Sequence, residues 1–298
     1  MPPPDREPLA LFDRDLIRAR RRRFAAEAPR FLIDYALDGL AEKLQDIKRE
    51  FPEIYIIGET AGVRPWMHGA GLTGRLVLGG TSDAAEQGYP VPDFIVDEEL
   101  LPLAPRRAEC LVSLLGLHLV NDLPGALVQI ERALKADGLF IGVMLGAGSL
   151  QELREAFLEA ESEISGGAAA RVAPFADIRD LGSLLQRAGF ALPVVDTETL
   201  TVRYDHMLGL IQDLRHMGWA NPLSERPRAF LPRSVLMRAG EIYGKRFSDP
   251  DGRVRATFTL TWITGWSPHE SQQKPAPRGS ANVSLAEVLG SPLADPED

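Results

Sequence analysis

A short glycine-rich stretch holds the first residues in this chain whose types and spacing suit ligand binding. Gly58, Glu59 and Gly62 lie in the stretch Gly58-Glu59-Thr60-Ala61-Gly62, directly after the apolar run 54–57. Glycine lets the backbone approach a ligand closely because it has no Cβ, and Glu59 supplies a carboxylate. An ordinary tight turn between a strand and a helix would use the same residues, so both interpretations stay open.

Further candidate ligand contacts follow the later β-rich runs. Gly79 ends the second run, Asp97 and Glu98 come after the third, and Gly116 comes after the fourth. In open parallel sheets, ligands bind at the edge formed by the carboxyl ends of the strands. We therefore expect these four residues and the glycine-rich stretch to meet at one edge, where they contact a shared ligand.

Three residues are candidates for substrate contact. His118 lies just past the fourth run, and a catalytic or substrate-binding role there competes with that of a structural histidine bonded to neighbouring backbone. Arg203 and Tyr204 end a later predicted strand, next to a stretch with helical patterns. We expect Arg203 and Tyr204 to shape a substrate cleft.

Two regions carry signals for helix ends. Asn121 and Asp122 suit the N-cap of the helix that follows, since both side chains can accept a hydrogen bond from its first turn. Gly218 is expected to end a later helix with a left-handed cap. Substrate-binding roles for Asn121 and for Arg215, on that later helix, rest only on the resemblance described below.

Composition excludes several classes of protein. Cys110 is the single cysteine, which rules out a disulfide framework and a cysteine-rich zinc site, and His68 and His206 lack partners at metal-ligand spacing. We therefore expect no metal site. A net charge of −9 argues against a general nucleic-acid binder, which needs a basic face. No hydrolase nucleophile motif or phosphate-binding P-loop is present.

The sequence also predicts where in the cell the protein resides. No run of about 18 apolar residues is present, so we expect no membrane span. The first residues lack the uninterrupted apolar stretch of a signal peptide, and their acidic residues suit a transit peptide poorly. These features indicate the cytoplasm, or the mitochondrial matrix if the protein is eukaryotic.

The central part of the chain alternates between predicted strands and helices. Continuous apolar strands interleaved with helices are typical of a parallel sheet covered on both faces. A pair of strands near the C-terminus completes the sheet, and we expect one of them to be antiparallel. The predicted strands cover residues 54–57, 75–78, 94–96, 110–115, 139–144, 193–204 and 254–266.

Helical patterns surround this sheet. Those at 207–217 and 233–247 interrupt the connection between the last two strands, and we expect them near the carboxyl edge over the substrate side. The helix at 149–163 has Ser149 and Glu152 at the spacing of a capping box. Other helices are predicted within 12–50, at 122–134 and at 177–188.

An arginine run lies on the first of these helices. Arg18 and the four residues 20–23 place five guanidinium groups within six positions. A solvated helical face is one interpretation, and a docking patch for an acidic partner is the other. The resulting domain prediction is an N-terminal helical arm (1–50), an α/β domain (51–266) with a helical insertion (205–251), and an irregular C-terminal arm (267–298).

The order of these features resembles S-adenosylmethionine-dependent methyltransferases. The shared order is an acid after the third strand, a fourth strand, a helix ending in Leu-Lys-Ala-Asp-Gly, and a fifth strand. What the resemblance implies is a Rossmann-like class I methyltransferase fold with a mostly parallel seven-stranded sheet. S-adenosylmethionine is the cofactor that it implies.

A narrower resemblance covers nearly the whole chain. The sequence is similar to the complex I (NADH:ubiquinone oxidoreductase) assembly factor five family. That resemblance implies a protein partner, a respiratory complex I subunit, and modification of an arginine on it by hydroxylation or methylation. It rests on Phe12-Asp13-Arg14 with the arginine run, Leu-His-Leu-Val-Asn-Asp-Leu-Pro-Gly-Ala-Leu (117–127), and the stretches 213–221 and 264–275.

The glycine-rich stretch departs from the methyltransferase pattern. Ile56 stands where an acid usually holds the methionine amino group, and Thr60 stands where the middle glycine is usual. The second strand ends in Gly79-Gly80, with Asp83 the nearest carboxylate to the expected ribose contact. Losing two charge-assisted hydrogen bonds of about 1.5–3 kcal/mol each predicts weak cofactor binding.

Three functions remain open from the sequence. The first is an S-adenosylmethionine-dependent enzyme that acts on a protein. The second is a non-catalytic assembly factor that kept the fold and lost the cofactor. A dinucleotide-dependent oxidoreductase is the least favoured, because the full Gly-x-Gly-x-x-Gly motif and its downstream acid are absent.

Overall fold

The computed structural model describes residues 10–70, 74–80 and 91–273. Within these residues, seven strands form one sheet in the order β3-β2-β1-β4-β5-β7-β6. The strands are β1 (Glu53–Gly58), β2 (Arg75–Gly80), β3 (Phe94–Ile95), β4 (Ala108–Leu114), β5 (Leu134–Leu145), β6 (Ala191–Tyr204) and β7 (Val254–Trp266).

The strand directions confirm the predicted architecture. β1 to β5 run parallel to one another, whereas β7 lies antiparallel between β5 and β6. The central strands are buried along almost their whole length, which explains their continuous apolar runs. β6 alternates between more and less exposed residues, as an edge strand with one solvated face does.

Helices cover both faces of the sheet. The described helices are α1 (Arg14–Phe24), α2 (Phe31–Asp46), α3 (Val63–Gly69), α4 (Leu123–Ala133), α5 (Gln151–Ser165), α6 (Ile178–Arg187), α7 (Met207–His216) and α8 (Arg233–Phe247). α2, α3, α5, α7 and α8 bury residues in a core against one face, while α4 and α6 bury residues against the other. The predicted helical patterns at 207–217 and 233–247 therefore correspond to α7 and α8.

The start of α5 corrects the predicted capping box. α5 begins at Gln151, and Leu150 precedes it in a left-handed conformation without any side-chain cap. The Ser149 hydroxyl instead accepts a hydrogen bond from Thr259 N at 3.0 Å. The Glu152 carboxylate accepts one from Thr257 N at 3.1 Å. Both polar side chains thus fix α5 to the backbone of β7, and that partner lies about a hundred residues away.

The tail after Pro268 forms a separate unit. Its described part, residues 269–273, contains a turn in which Gln272 N donates to His269 O at 3.2 Å. The His269 ring nitrogen Nδ1 lies 2.7 Å from Ser271 Oγ, and the histidine is exposed.

Candidate functional site

The carboxyl edge of the sheet brings three of the predicted ligand contacts together. A Cβ added at Gly116, after β4, would lie 2.9 Å from Glu98 Oε1 and 3.3 Å from Gly58 Cα. Gly58 ends β1, and Glu98 follows β3. The expectation that these loops meet is therefore correct for Gly58, Glu98 and Gly116.

The β1–α3 loop needs its first and last glycines. Gly58 has φ +93°, and a Cβ there would collide with Leu114 O of β4. Glu59 N donates to the same carbonyl at 2.7 Å, which closes the turn. Gly62 has φ +73° and precedes α3, and the Arg30 guanidinium occupies the space beside it. Glu59 Oε1 accepts from Ala61 N at 3.3 Å.

The positions where a methyltransferase usually has acids are apolar or glycine here. Ile56 is 1% exposed and packs in the sheet core. Gly79 lies against the Phe94 ring, whose Cζ would be 2.6 Å from a Cβ at that position. Asp83, the nearest carboxylate in sequence to the end of β2, lies outside the described residues. The described parts of β1 and β2 therefore present no carboxylate at this edge.

Three acids that follow β3 are paired with arginines of α1. Arg14 Nη2 lies 2.7 Å from Asp97 Oδ1 and 2.6 Å from Glu98 Oε2, and Arg14 Nη1 is 3.3 Å from Glu99 Oε1. Arg18 also pairs with Asp97. Arg21 Nη1 lies 3.9 Å from Glu98 Oε1. We call Arg14, Arg18 and Arg21 the arginine cluster.

The arginine cluster corrects the interpretation of the arginine run. Residues 14, 18 and 21 share one helical face, because neighbours on a helix recur at three- and four-residue spacing. That face points at the sheet edge, and the side chains of Arg14 and Arg21 are only 13% and 15% exposed. Arg20 also turns inward and donates to Ala220 O. A solvated face is thus wrong for Arg18, Arg20 and Arg21.

An apolar cavity of about 280 Å³ lies beside the arginine cluster. It is bounded by His118 after β4, by Leu145 at the end of β5, and by side chains of α5, α7 and α8. The rest of the described lining consists of residues 171–173, Phe175, residues 219–222, Leu119, Leu150 and Leu231. Leu119 contacts both this cavity and the arginine cluster. The cavity therefore occupies the substrate side of the carboxyl edge.

His118 is a buried, unpartnered side chain of this cavity. It is 5% exposed, and neither ring nitrogen has a hydrogen-bond partner among the described residues. Its ring packs edge-on against Trp219, with centroids 4.9 Å apart, and lies 6.1 Å from Phe175. Trp219 Nε1 is likewise buried without a described partner. Because buried polar groups normally find partners, His118 and Trp219 are suited to hydrogen-bond a ligand.

Burial keeps His118 neutral. Desolvation, helped by the positive charge of Arg21, lowers the pKa of His118 to about 3. A base with so low a pKa abstracts protons poorly at neutral pH, so its geometry suits hydrogen bonding better than proton transfer. The catalytic role remains a prediction.

The low pKa of His118 predicts a specific pH dependence of stability. Between pH 6.5 and about 3 the unfolded chain binds a proton at His118 that the folded protein does not, so acid favours unfolding there. We expect His118→Leu to remove about 1.4 kcal/mol per pH unit from the slope of unfolding free energy. Urea unfolding at pH 6, 5 and 4 measures this slope. Equal slopes in both proteins would show that folded His118 takes up the proton.

The cavity's charged lining residue is neutralised by a partner. Arg171 Nη2 lies 2.5 Å from Glu161 Oε1, and Glu161 is 4% exposed. Glu161 Oε2 also accepts from Ala169 N at 2.5 Å. This buried pair fixes the segment that carries Phe175 and leaves the described cavity surface without a net charge.

The other predicted substrate contacts lie outside the described cavity lining. Asn121 holds the backbone of Phe12, with Phe12 N donating to its Oδ1 at 2.7 Å, while Asp122 alone caps α4. The helix cap predicted for Asn121 is therefore wrong, because its side-chain amide hydrogen-bonds the backbone of Phe12 instead. Arg203 pairs with Asp249 at 2.8 Å and also with Asp251.

Tyr204 and Arg215 also serve contacts within the chain. The Tyr204 hydroxyl donates to Asp213 Oδ2 at 3.0 Å. Burial and the Asp213 charge raise the pKa of the Tyr204 hydroxyl, so it stays protonated. Arg215 lies over the Phe24 ring, 5.5 Å from its centroid. Gly218 has φ +77°, as expected for the residue that ends α7.

Sequence reasoning missed residues that the structure brings to the site. Arg14 and Trp219 occur within stretches quoted for the family resemblance, but the residue types alone gave them no role. Arg171 and Phe175 lie in a segment without any motif.

Burial raises the pKa of the Cys110 thiol to about 12, which leaves it unreactive as a nucleophile.

The described residues lack two further features. They contain no group of three or more His, Cys, Asp or Glu side chains placed to hold a metal. None of the described helices combines the length and apolar composition of a membrane span.

Comparison with known proteins defines the class first. The solved structure of the YcgJ protein from Bacillus subtilis matches with a TM-score of 0.50 at 14% identity, over 79% of this chain and 99% of that chain, and shares the fold. The malonyl-[acyl-carrier protein] O-methyltransferase of Gallionella capsiferriformans is 35% identical over 182 residues, 61% of this chain and 58% of that protein. With the strand order above, these matches define a Rossmann-like class I methyltransferase fold, as the sequence predicted.

The family follows from a longer match. The mitochondrial arginine-hydroxylase NDUFAF5 of Homo sapiens is 37% identical over 290 residues, covering 94% of this chain and 84% of that protein. No family model matches the chain. The chain belongs to the NDUFAF5 family, a branch of the class I methyltransferase superfamily.

The carboxyl edge, as arranged, does not fit S-adenosylmethionine well. That cofactor offers an amino group and ribose hydroxyls, which carboxylates normally bind in this fold. Here Asp97, Glu98 and Glu99 are already held by α1, and Ile56 offers no acid. The space between Glu98, Gly116 and the arginine cluster is only about 10 Å³, room for about one water molecule.

Proposed function

We propose that this methyltransferase-fold protein acts in the assembly of respiratory complex I by binding a segment of a partner subunit in the apolar cavity. The observation that carries the proposal is the cavity itself, at the carboxyl edge, with the unpartnered His118 in its wall. Concave, mostly apolar sites with a few convergent polar groups are typical binding sites. The family resemblance supplies complex I as the setting.

The cavity favours a side chain with an apolar stem and a polar end. The stem packs against aliphatic residues such as Leu153, while His118 and Trp219 Nε1 offer hydrogen bonds to the end. An arginine meets this description in part, because its guanidinium can donate to the unprotonated ring nitrogen of His118 and stack on aromatic rings. Trp219 Nε1 is itself a donor, so it needs an acceptor from another group of the partner. Its charge would find no carboxylate among the described lining residues, which makes deep burial of the charge costly.

A protein that binds this partner segment can act on it in two ways, as an enzyme or as a non-catalytic assembly factor. The relatives named arginine-hydroxylases support an enzyme that modifies the bound arginine. The paired acids and the buried Ile56 support the alternative, a non-catalytic assembly factor that kept the fold. We propose weak S-adenosylmethionine binding in either case, with Gly58, Glu59, Gly62, Gly79, Asp97, Glu98 and Gly116 as the contacts.

The remaining proposals concern location and organisation. The match to relatives named mitochondrial supports the matrix for a eukaryotic source. For a bacterial source we propose the cytoplasm. The domain division is likewise a proposal, with residues 1–50 as an arm, 51–266 as the main domain, 205–251 inserted in it, and 267–298 as a second arm.

A cavity-blocking variant tests the proposed function. Leu208 lines the cavity but is 52% exposed, so Leu208→Trp should fill the entrance without unfolding the protein. Leu158→Trp on α5 is the control, since Leu158 is 54% exposed and lies outside the described lining. Cells lacking this gene are complemented with each variant, and assembled complex I is measured.

We expect gene deletion to reduce complex I, Leu158→Trp to restore it and Leu208→Trp to fail. Normal complex I after deletion, or full rescue by Leu208→Trp, would contradict the proposed function. Mass spectrometry of the complex I subunits then separates the two consequences. An arginine that gains an oxygen or a methyl group only in rescued cells identifies an enzyme, and unmodified subunits identify the non-catalytic factor.

A further inference from the structure

A cleft of about 370 Å³ lies between the outer side of α1 and the end of α7. Its charged lining consists of Arg20, Arg23 and Arg215, and Phe24 lines it beside them. The Arg23 and Arg215 guanidiniums lie 5.3 and 5.5 Å from the centroid of that ring. We call these three arginines and Phe24 the basic cleft.

The arginines of the basic cleft lack acidic partners. None of Arg20, Arg23 and Arg215 forms an ion pair with any described carboxylate, whereas Arg14 and Arg18 on the same helix both do. Arg20 is half-buried and donates to the backbone carbonyls of Ala220 and Asn221. Desolvation and the charges of Arg226 and Arg215 lower the pKa of Arg20, although Asp13 opposes them.

The surroundings of the cleft leave this positive charge uncompensated. Asp13 is engaged by Arg226 at 2.9 Å, and Glu27 lies 3.4 Å from His216 Nε2. His216 stacks on Phe24 with centroids 5.1 Å apart, which helps to hold the ring between the two guanidiniums. Three preoriented guanidiniums on a chain with a net charge of −9 form a local site for carboxylates.

The basic cleft adjoins the apolar cavity. Ala220 lines both, so this residue forms their common wall. A partner segment that places one side chain in the cavity would carry its neighbouring residues to the cleft. We propose that the basic cleft binds an acidic stretch of the same partner protein, flanking the residue that enters the cavity, an inference that rests on the proposed function for the partner's identity.

Arginine geometry and overall charge favour a protein over a nucleic acid as the occupant. Guanidinium groups bind carboxylates through paired hydrogen bonds, and the acidic chain as a whole repels a polyanion that extends beyond the cleft. A short acidic peptide can contact the cleft alone. The site therefore suits a compact cluster of Asp and Glu side chains.

The test uses the full chain and a fluorescein-labelled hexaglutamate peptide, with binding measured by fluorescence anisotropy at low and physiological salt. Arg23→Glu with Arg215→Glu is the test variant, because both side chains are exposed. Arg179→Glu with Arg187→Glu on α6 is the matched control, since both residues are exposed and the net charge changes equally. Circular dichroism confirms that both double variants are folded.

We expect the wild type and the control to bind the peptide. The test variant should bind about tenfold more weakly, because the free energies of two lost surface ion pairs together correspond to about a tenfold change in dissociation constant. Leu208→Trp should keep the peptide affinity, so a failure of the cavity proposal is separable from a failure here. Equal weakening in both double variants, or no binding by the wild type, would overturn the inference. In a competition assay, unlabelled hexaglutamate and a single-stranded oligonucleotide each displace the labelled peptide. If the oligonucleotide does so at the lower concentration, the inference is also overturned.

Discussion

Replacing Arg14 by methionine is expected to lower the free energy of unfolding by about 3–5 kcal/mol, because it leaves a buried carboxylate without its main partner. Glu98 has a side chain only 3% exposed, and Arg14 Nη2 lies 2.6 Å from its Oε2. Arg21 remains 3.9 Å from Oε1, too far to replace the lost hydrogen bond. Urea unfolding monitored by tryptophan fluorescence measures the loss.

A matched variant separates burial from charge. Arg18 pairs with Asp97, but both side chains are about one-third exposed, at 32% and 33%. Exposed ion pairs contribute little, so Arg18→Met should cost less than about 1 kcal/mol. Adding Glu98→Gln to Arg14→Met should recover part of the stability by removing the unpaired charge. Equal costs for Arg14→Met and Arg18→Met would show that Glu98 is not a buried charge.

Gly58→Ala is the second substitution with a large expected effect. The residue has φ +93°, where an L side chain is strained by about 1–3 kcal/mol, and its Cβ would collide with Leu114 O. Forcing β1 and β4 apart adds an overpacking cost of about 1–3 kcal/mol. The combined loss, about 2–6 kcal/mol, is a large share of the roughly 5–15 kcal/mol by which native proteins are stable.

Gly69→Ala serves as the control for this prediction. Gly69 ends α3, and a Cβ there would meet no atom within 4 Å. We expect no loss of stability, since alanine is the better helix former. Thermal unfolding of both variants makes the comparison. A Gly58→Ala protein as stable as the Gly69→Ala protein would show that the β1–α3 loop adopts another conformation.

The sheet was predictable because its signals are local. Strands such as β1, β4 and β5 are buried on both faces, so their sequences are continuously apolar and end at turns. Gly58 and Gly62 mark a loop whose backbone needs positive φ, and that requirement is visible in the residue type. The helical periods of α7 and α8 are likewise contained in ten to fifteen residues.

The site was less predictable because its contacts join distant residues. Arg14 and Glu98 are 84 positions apart, and nothing local distinguishes an arginine that pairs with a buried acid from one in a solvated run. Asn121 shows the same limit, since its amide suits a helix cap until Phe12, 109 positions away, takes its place as partner. The apolar cavity depends on the packing of α5, α7 and α8, which no single pattern specifies.

We propose that this protein keeps the methyltransferase fold, while its cofactor edge is altered at Ile56 and Thr60 and covered by α1. Restoring the usual residues with Ile56→Asp and Thr60→Gly should improve the binding free energy of S-adenosylmethionine by about 2–3 kcal/mol. A melting curve must accompany the double variant, because a new aspartate at a position that is 1% exposed is costly without a partner.

Calorimetric titration of the wild-type protein with S-adenosylmethionine measures directly whether this edge binds the cofactor weakly. Loss of two charge-assisted contacts predicts a dissociation constant of roughly 100 µM or weaker. A dissociation constant of about 1–5 µM, as an intact site would give, would contradict the proposal that the cofactor edge is altered and covered. In that case the acids held by the arginine cluster are available to the cofactor, and α1 does not close this edge.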